Sequence, residues 1–160
     1  MKIRQIVEED FVNYKEPSLF IGTAYCNWKC CVENGLDKIV CQNESLSLAP
    51  IIEVSNRDIF NRFVQNPITK AIVIGGLEPV IQWNEIISLV SYFRRKSCTA
   101  EFVIYTGYYP NEIEHELNDL RKFSNIVMKF GRFIPGHSPH YDEVLGVSLA
   151  SDNQYGERIS

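Results

Sequence analysis

The chain has 160 residues, 45% of them apolar and 22% charged, and a formal net charge of -4. That is enough apolar material for one substantial core, so a single domain over residues 1–160 is expected. The only basic run is Arg94-Arg95-Lys96, which argues against an electrostatic nucleic-acid binder. The segment from Met1 to Glu9 is polar and charged with no apolar run behind it, which predicts no secretory signal and no membrane span, and so a cytoplasmic protein. In that compartment the five cysteines are expected to be thiols or ligands, not disulfides.

Residues 18–23, Ser-Leu-Phe-Ile-Gly-Thr, form a short apolar run that predicts a strand buried on both faces. A cysteine-rich loop begins directly at its C-terminal end. A short strand is predicted at Ile51–Val54, then a helix that starts at Ser55 with Asp58 three positions on and runs to about Val64, where Asn66-Pro67 ends it. Ala71–Ile74 reads as a parallel-type strand, and the turn Gly75-Gly76-Leu77-Glu78-Pro79 follows, its paired glycines allowing close backbone approach. From about Trp83 to Arg95, Ile86, Ile87, Val90 and Phe93 recur at helical spacing, with Glu85, Ser91 and Arg94 left for the wet face. Phe102–Tyr105 is the next strand, running into Thr106-Gly107-Tyr108-Tyr109. Pro110 opens a helix in which Ile113, Leu117 and Leu120 share a face. Ile126–Phe130 is a further strand, Val144–Leu149 a last one, and Ser151-Asp152-Asn153-Gln154 a polar tail. Strands alternating with helices predict an α/β fold with a mainly parallel sheet, whose ligands gather at the C-terminal strand ends. The cysteine loop, the glycine turn and the Thr106-Gly107-Tyr108 turn all fall on that rim.

Cys26 and Cys30 stand as C-x3-C, followed by Cys31 and Cys41. Thiolates gathered at the mouth of a sheet bind a soft metal or act in redox chemistry. A cluster with one open iron needs three ligands, and adjacent cysteines do not readily aim both sulfurs at one cluster, which selects Cys26, Cys30 and Cys41, with Cys31 as the substitute for Cys41. A zinc site using all four is the rival, without a C-x2-C pair to support it. The plain alternative makes Cys31 and Cys41 small buried apolar residues. Cys98, between a helix and a strand, reads as structural, and His137 and His140 as loop residues without an acidic partner motif. No Ser-His-Asp or nucleophile-elbow pattern is present.

Taken together these motifs resemble those of the radical S-adenosylmethionine superfamily, most closely the activating proteins of anaerobic ribonucleotide reductase. Cys26-x3-Cys30 is similar to the start of the superfamily's C-x3-C-x2-C signature, with Trp28 as the aromatic beside it. Gly75-Gly76-Leu77-Glu78-Pro79 resembles its Gly-Gly-Asp/Glu-Pro turn with Leu77 inserted. Tyr105-Thr106-Gly107-Tyr108 resembles the group's Tyr-Thr-Gly-Tyr, and Ser151–Gln154 its C-terminal Ser-Ser-Asn-Gln. Glu33 stands where the signature has its third cysteine, so Cys41 takes that part in the expected ligand set.

The resemblance implies an open, partial (βα) barrel and a [4Fe-4S] cluster whose fourth iron chelates S-adenosyl-L-methionine. One electron then cleaves the C–S bond to methionine and a 5'-deoxyadenosyl radical. No catalytic side chain is implied beyond the cluster ligands. Gly75 and Gly76 would offer carbonyls to the methionyl ammonium, and Glu78 would pair with it or stabilise the turn. Thr106 and Tyr108 would meet ribose or adenine, although Tyr105 and Tyr108 read equally well as packing aromatics. Asn153 and Gln154 would contact ligand or partner, or else form a solvated tail. The implied partners are a large glycyl-radical enzyme, the anaerobic ribonucleotide reductase, and a small electron donor such as flavodoxin. A radical enzyme acting on a small molecule or peptide, and a non-catalytic zinc- or cluster-binding module, are the alternatives.

Overall fold

A computed structural model describes residues 1–160. In chain order the elements are β1 (Lys2–Asp10), β2 (Ser18–Thr23), α1 (Lys29–Glu33), α2 (Glu44–Leu48), β3 (Ile52–Glu53), α3 (Asn56–Gln65), β4 (Ala71–Gly75), α4 (Trp83–Arg95), β5 (Glu101–Tyr105), α5 (Glu114–Leu120), β6 (Ile126–Phe130), β7 (His140–Asp142), β8 (Val147–Leu149) and β9 (Tyr155–Arg158). Short 3₁₀ turns lie at Lys38–Val40, Pro79–Gln82 and Pro110–Glu112.

Seven strands form one sheet in the order β3-β1-β2-β4-β5-β6-β9. The central strands β2, β4, β5 and β6 are parallel neighbours. The flanking strands β3, β1 and β9 pair antiparallel, so the fold is α/β with a mixed sheet built on a parallel centre. Side chains alternate across the pleat. Leu19, Ile21, Ile72, Ile74, Phe102, Ile104, Ile126 and Met128 share a core with Ile59 of α3, Phe93 of α4 and Leu117 of α5. Phe93 anchors that core edge-on to Phe102 at a centroid distance of 5.1 Å and to Phe60 at 5.0 Å. Burying a side chain of this size contributes about 2–3 kcal/mol.

On the opposite face Val73, Val103 and Val127 pack with Tyr14, Leu145 and Leu149. This side is covered in part by the β7–β8 hairpin, a separate two-stranded sheet. The strand expected over Val144–Leu149 is therefore only the hairpin's second arm, and the strand that closes the main sheet is β9. The N-terminal segment, expected to be merely polar, is the nine-residue strand β1, with Ile3 fully buried. Its charged residues suit a strand near the sheet margin. Pro110 opens a 3₁₀ turn, and α5 proper begins at Glu114. The Ser55 start is realised as a cap: its Oγ accepts from the Asp58 N–H at 3.1 Å. No helix is long and apolar enough to cross a membrane.

Candidate metal centre

Because β2, β4, β5 and β6 run the same way, the loops after them converge at one end of the sheet. The cysteine loop is stitched to its neighbours from the start. Thr23 Oγ1 donates to the Gly75 carbonyl at 3.0 Å, the Ala24 N–H to Gln82 Oε1 at 2.7 Å, and the Glu78 N–H to the Tyr25 carbonyl at 2.8 Å. Trp28 adopts a left-handed conformation (φ 59°), uncommon for a bulky residue. Its N–H donates to Cys26 Sγ at 3.2 Å, and its carbonyl begins α1 by accepting from Cys31 and Val32. The chain then turns through Gly35, and Asp37 caps the 3₁₀ turn that delivers Cys41. There the Asn43 N–H donates to Cys41 Sγ at 3.4 Å.

Cys26, Cys30, Cys31 and Cys41 all line a cavity of about 300 Å³ at this end of the sheet. The Cys30 and Cys31 sulfurs are 3.9 Å apart. A hydrogen bond from the Cys41 thiol lowers the pKa of Cys30 and, with burial, raises that of Cys41. Burial pushes the Cys26 thiol up to about 11, opposed by the Trp28 N–H and reinforced by the charge of Glu78. No three His, Cys, Asp or Glu side chains are placed to share one ion. Four thiols spread around a cavity suit a body with several corners, and N–H donors aimed at Cys26 and Cys41 are the contacts that stabilise cluster-bound thiolates. The residues present therefore fit an iron–sulfur cluster.

The other two rim turns contribute to the cavity wall, which the end and exit loop of β6 and the β8 strand complete. Gly76 lines it, with φ 80°, and a Cβ there would lie 2.5 Å from Leu46 Cδ2 and 3.1 Å from Gly22 Cα, so only glycine fits. Through this contact α2, which follows Cys41, is seated on the glycine turn. Gly75 lies just outside the lining, its carbonyl occupied by Thr23. Glu78 turns inward and is buried: Oε1 accepts from Thr106 Oγ1 at 2.8 Å and the Val80 N–H at 3.1 Å, and Oε2 from the Gly107 N–H at 2.9 Å. Burial raises its pKa against those bonds. Of the two roles open to Glu78, the contacts present are those of a brace between turns. Thr106 lines the cavity with its hydroxyl committed to Glu78. Tyr108 does not line it; its ring packs on the main core, and its hydroxyl accepts from Asn27 Nδ2 at 2.6 Å, holding the cysteine loop.

Lys129 and Arg132 were not singled out by the sequence patterns. Lys129 is buried in the cavity wall with one partner, the Gly131 carbonyl at 2.7 Å, and burial pulls its pKa down to about 8. A lysine inside the apolar run Ile126–Phe130 was the available signal. Within the tail Asp152 is exposed, but Gln154 is buried, accepting from the Ala150 and Ser151 N–H groups and donating to the Gly131 carbonyl. The solvated reading fails for Gln154 because its amide is held between its own turn and the Gly131 carbonyl at the exit of β6. His137 pairs with Asp152, and neither His137 nor His140 lines the cavity; Cys98 packs at the core's edge.

The site is thus a cavity lined by four thiols at the C-terminal rim of a parallel-centred α/β sheet. Residues 18–148 match the family described as "4Fe-4S single cluster domain", a span that runs from β2 to β8, and the chain belongs to that family. No curated protein and no solved structure matches the chain.

Proposed function

We propose that this protein is a radical S-adenosylmethionine enzyme that generates a glycyl radical on a large partner, an anaerobic ribonucleotide reductase, with a flavodoxin-like protein as electron donor. The observation that carries the reading is the convergence of the thiols, the Gly76 turn and the Thr106-Gly107 turn on one cavity, in a chain of the 4Fe-4S single cluster family. Cys26, Cys30 and Cys41 would hold the cluster. When bound, a reduced cluster with an open iron supplies the electron that splits the C–S bond of S-adenosyl-L-methionine.

The chain's own residues supply position, charge and dryness. Gly76 brings bare backbone to the wall, and Glu78 fixes the Thr106-Gly107 turn opposite. Lys129 offers a buried positive charge. The open sheet, read as a partial (βα) barrel, leaves the rim accessible to another protein's loop, with Val32 and Ile39 exposed on the cysteine segment.

Cys31 favours a second reading. A fourth thiol on the same cavity could complete an all-cysteine cluster with no free iron, which would make the protein an electron-transfer or interaction module. Anaerobically reconstituted, reduced protein given S-adenosyl-L-methionine is expected to release 5'-deoxyadenosine and methionine. A cluster-loaded protein that forms neither product, with or without the reductase, refutes the radical mechanism and leaves the module. Turnover on a small substrate without any partner would instead refute the activating role.

A further inference from the structure

α1 carries two of the cavity's thiols yet has little to hold it. It is five residues long, lacks a side-chain cap and buries only Cys31, far too little for a helix to be stable alone. Its orientation is imposed from outside, at both ends, by one ion network. At its last residue, Glu33 pairs with Arg132: Nη2 donates to Oε1 at 3.2 Å, and Nε lies 2.7 Å from Oε2 as an ion pair without hydrogen-bond alignment. At its first residue, Lys29 lies 3.0 Å from Glu33 Oε1 and 3.2 Å from Glu112 Oε1, and Glu112 also pairs with Arg132. Glu33 occupies the position at which the resemblance set out above would place a third cysteine.

Arg132 is itself fixed from behind. Its side chain is only 7% exposed and its guanidinium lies over Tyr109, 5.0 Å from the ring centroid. Asn153 Nδ2 donates to both the Arg132 carbonyl at 2.8 Å and the Tyr109 hydroxyl at 2.9 Å. Gln154 Nε2 donates to the Gly131 carbonyl at 3.3 Å. The tail presses so closely that a Cβ on Gly131 (φ 94°) would lie 2.7 Å from the Asn153 carbonyl oxygen. A buried guanidinium set between two carboxylates and an aromatic face, on a fixed backbone, is restrained in orientation.

We propose that Arg132, set by Asn153 and Gln154, is a positioning residue that clamps α1 through Glu33 and so aims the Cys30 and Cys31 thiols into the cavity. The tail, remote from the thiols in sequence, thereby acts on the cluster site. This rests on the cluster reading of the cavity.

The test compares anaerobically loaded wild type with Glu33→Gln, Asn153→Ala, Arg132→Met and the Glu33→Gln/Arg132→Met double variant. The readouts are the EPR spectrum of the reduced cluster and the rate of iron loss to a ferrous chelator. Each single variant is expected to shift the EPR g values and to lose iron about tenfold faster, the low end for removing an outer-shell partner. The double variant should lose it no faster than Arg132→Met, because both changes open the same clamp. Glu33→Gln is conservative and partly exposed, so it keeps the test decisive should Arg132→Met not fold. If wild type binds about four irons while Glu33→Gln and Asn153→Ala keep its spectrum and rate, the clamp is overturned and the cluster stands. Additive effects in the double variant likewise overturn it. Wild type that binds no iron overturns both.

Discussion

Replacing Glu78 tests whether the two non-cysteine turns of the rim are one unit. The carboxylate accepts from Thr106 Oγ1, the Gly107 N–H and the Val80 N–H, and Thr106 is 1% exposed. Glu78→Ala strands the Thr106 hydroxyl and the Gly107 N–H, each costing about 1–3 kcal/mol when left unsatisfied. Part of this is offset because the variant no longer buries a carboxylate, which leaves a net loss of about 2–4 kcal/mol. Glu78→Gln keeps an acceptor for Thr106 and Val80 but sets an amide N–H₂ against the Gly107 N–H, and should lose about 1–2 kcal/mol. Anaerobic urea unfolding followed by tryptophan fluorescence gives both numbers, and amide exchange at Gly107 should quicken in both variants. Changes under about 0.5 kcal/mol in both, the range of an ordinary surface substitution, or a Gln variant weaker than the Ala variant, would refute the brace.

Two further predictions concern the thiols and the ion network. Cys41→Ala should abolish iron loading while Cys31→Ala retains it; the reverse pattern in an iron assay would replace Cys41 by Cys31 in the ligand set. Burial works against ionising Glu112, but hydrogen bonds from Arg132, the Tyr109 N–H and Lys29 outweigh it and hold its carboxyl at about 2. Since the folded pKa lies below the unfolded one, the stability it contributes is complete above the ordinary carboxylate range and is lost as pH falls towards 2. Against Glu112→Gln, the apoprotein's advantage should be about 1–2 kcal/mol at pH 6, after allowance for solvent screening, and vanish near pH 2 in thermal or urea unfolding. An advantage that does not change over that range would contradict the pairing.

The parallel centre of the sheet and α4 were legible because their signals are local. Ile86, Val90 and Phe93 repeat at helical spacing, and the strands β2, β4, β5 and β6 are short apolar runs between glycine and proline punctuation. β1 was not legible: a strand at the margin carries Lys2, Arg4 and Glu8 among its apolar residues and loses the alternation that would mark it. At the site, the first glycine turn was legible because Gly76 (φ 80°) dictates its geometry, and the Thr106-Gly107 turn because it directly follows the apolar run of β5. Arg132 was missed, and the bracing contact of Gln154 was not foreseen, because the Glu33–Arg132 pair and the bond from Gln154 to Gly131 join residues far apart in sequence. No spacing rule expresses a carbonyl on β6's exit loop meeting an amide from the tail. Cys41 falls between these cases: its residue type announced a ligand, but its place beside Cys30 is set by α2 lying on Gly76.

The ion pair between Glu33 and Arg132 joins residues 99 positions apart, and this sets an order of events during synthesis. The four thiols leave the ribosome early, on a segment with no persistent shape. Leu46 has no seat until the Gly76 turn follows β4, and α1 has no anchor until Arg132 and then Asn153 emerge. A domain whose cysteine loop is made early and secured last has its thiol cavity in final form only once the polypeptide is nearly finished.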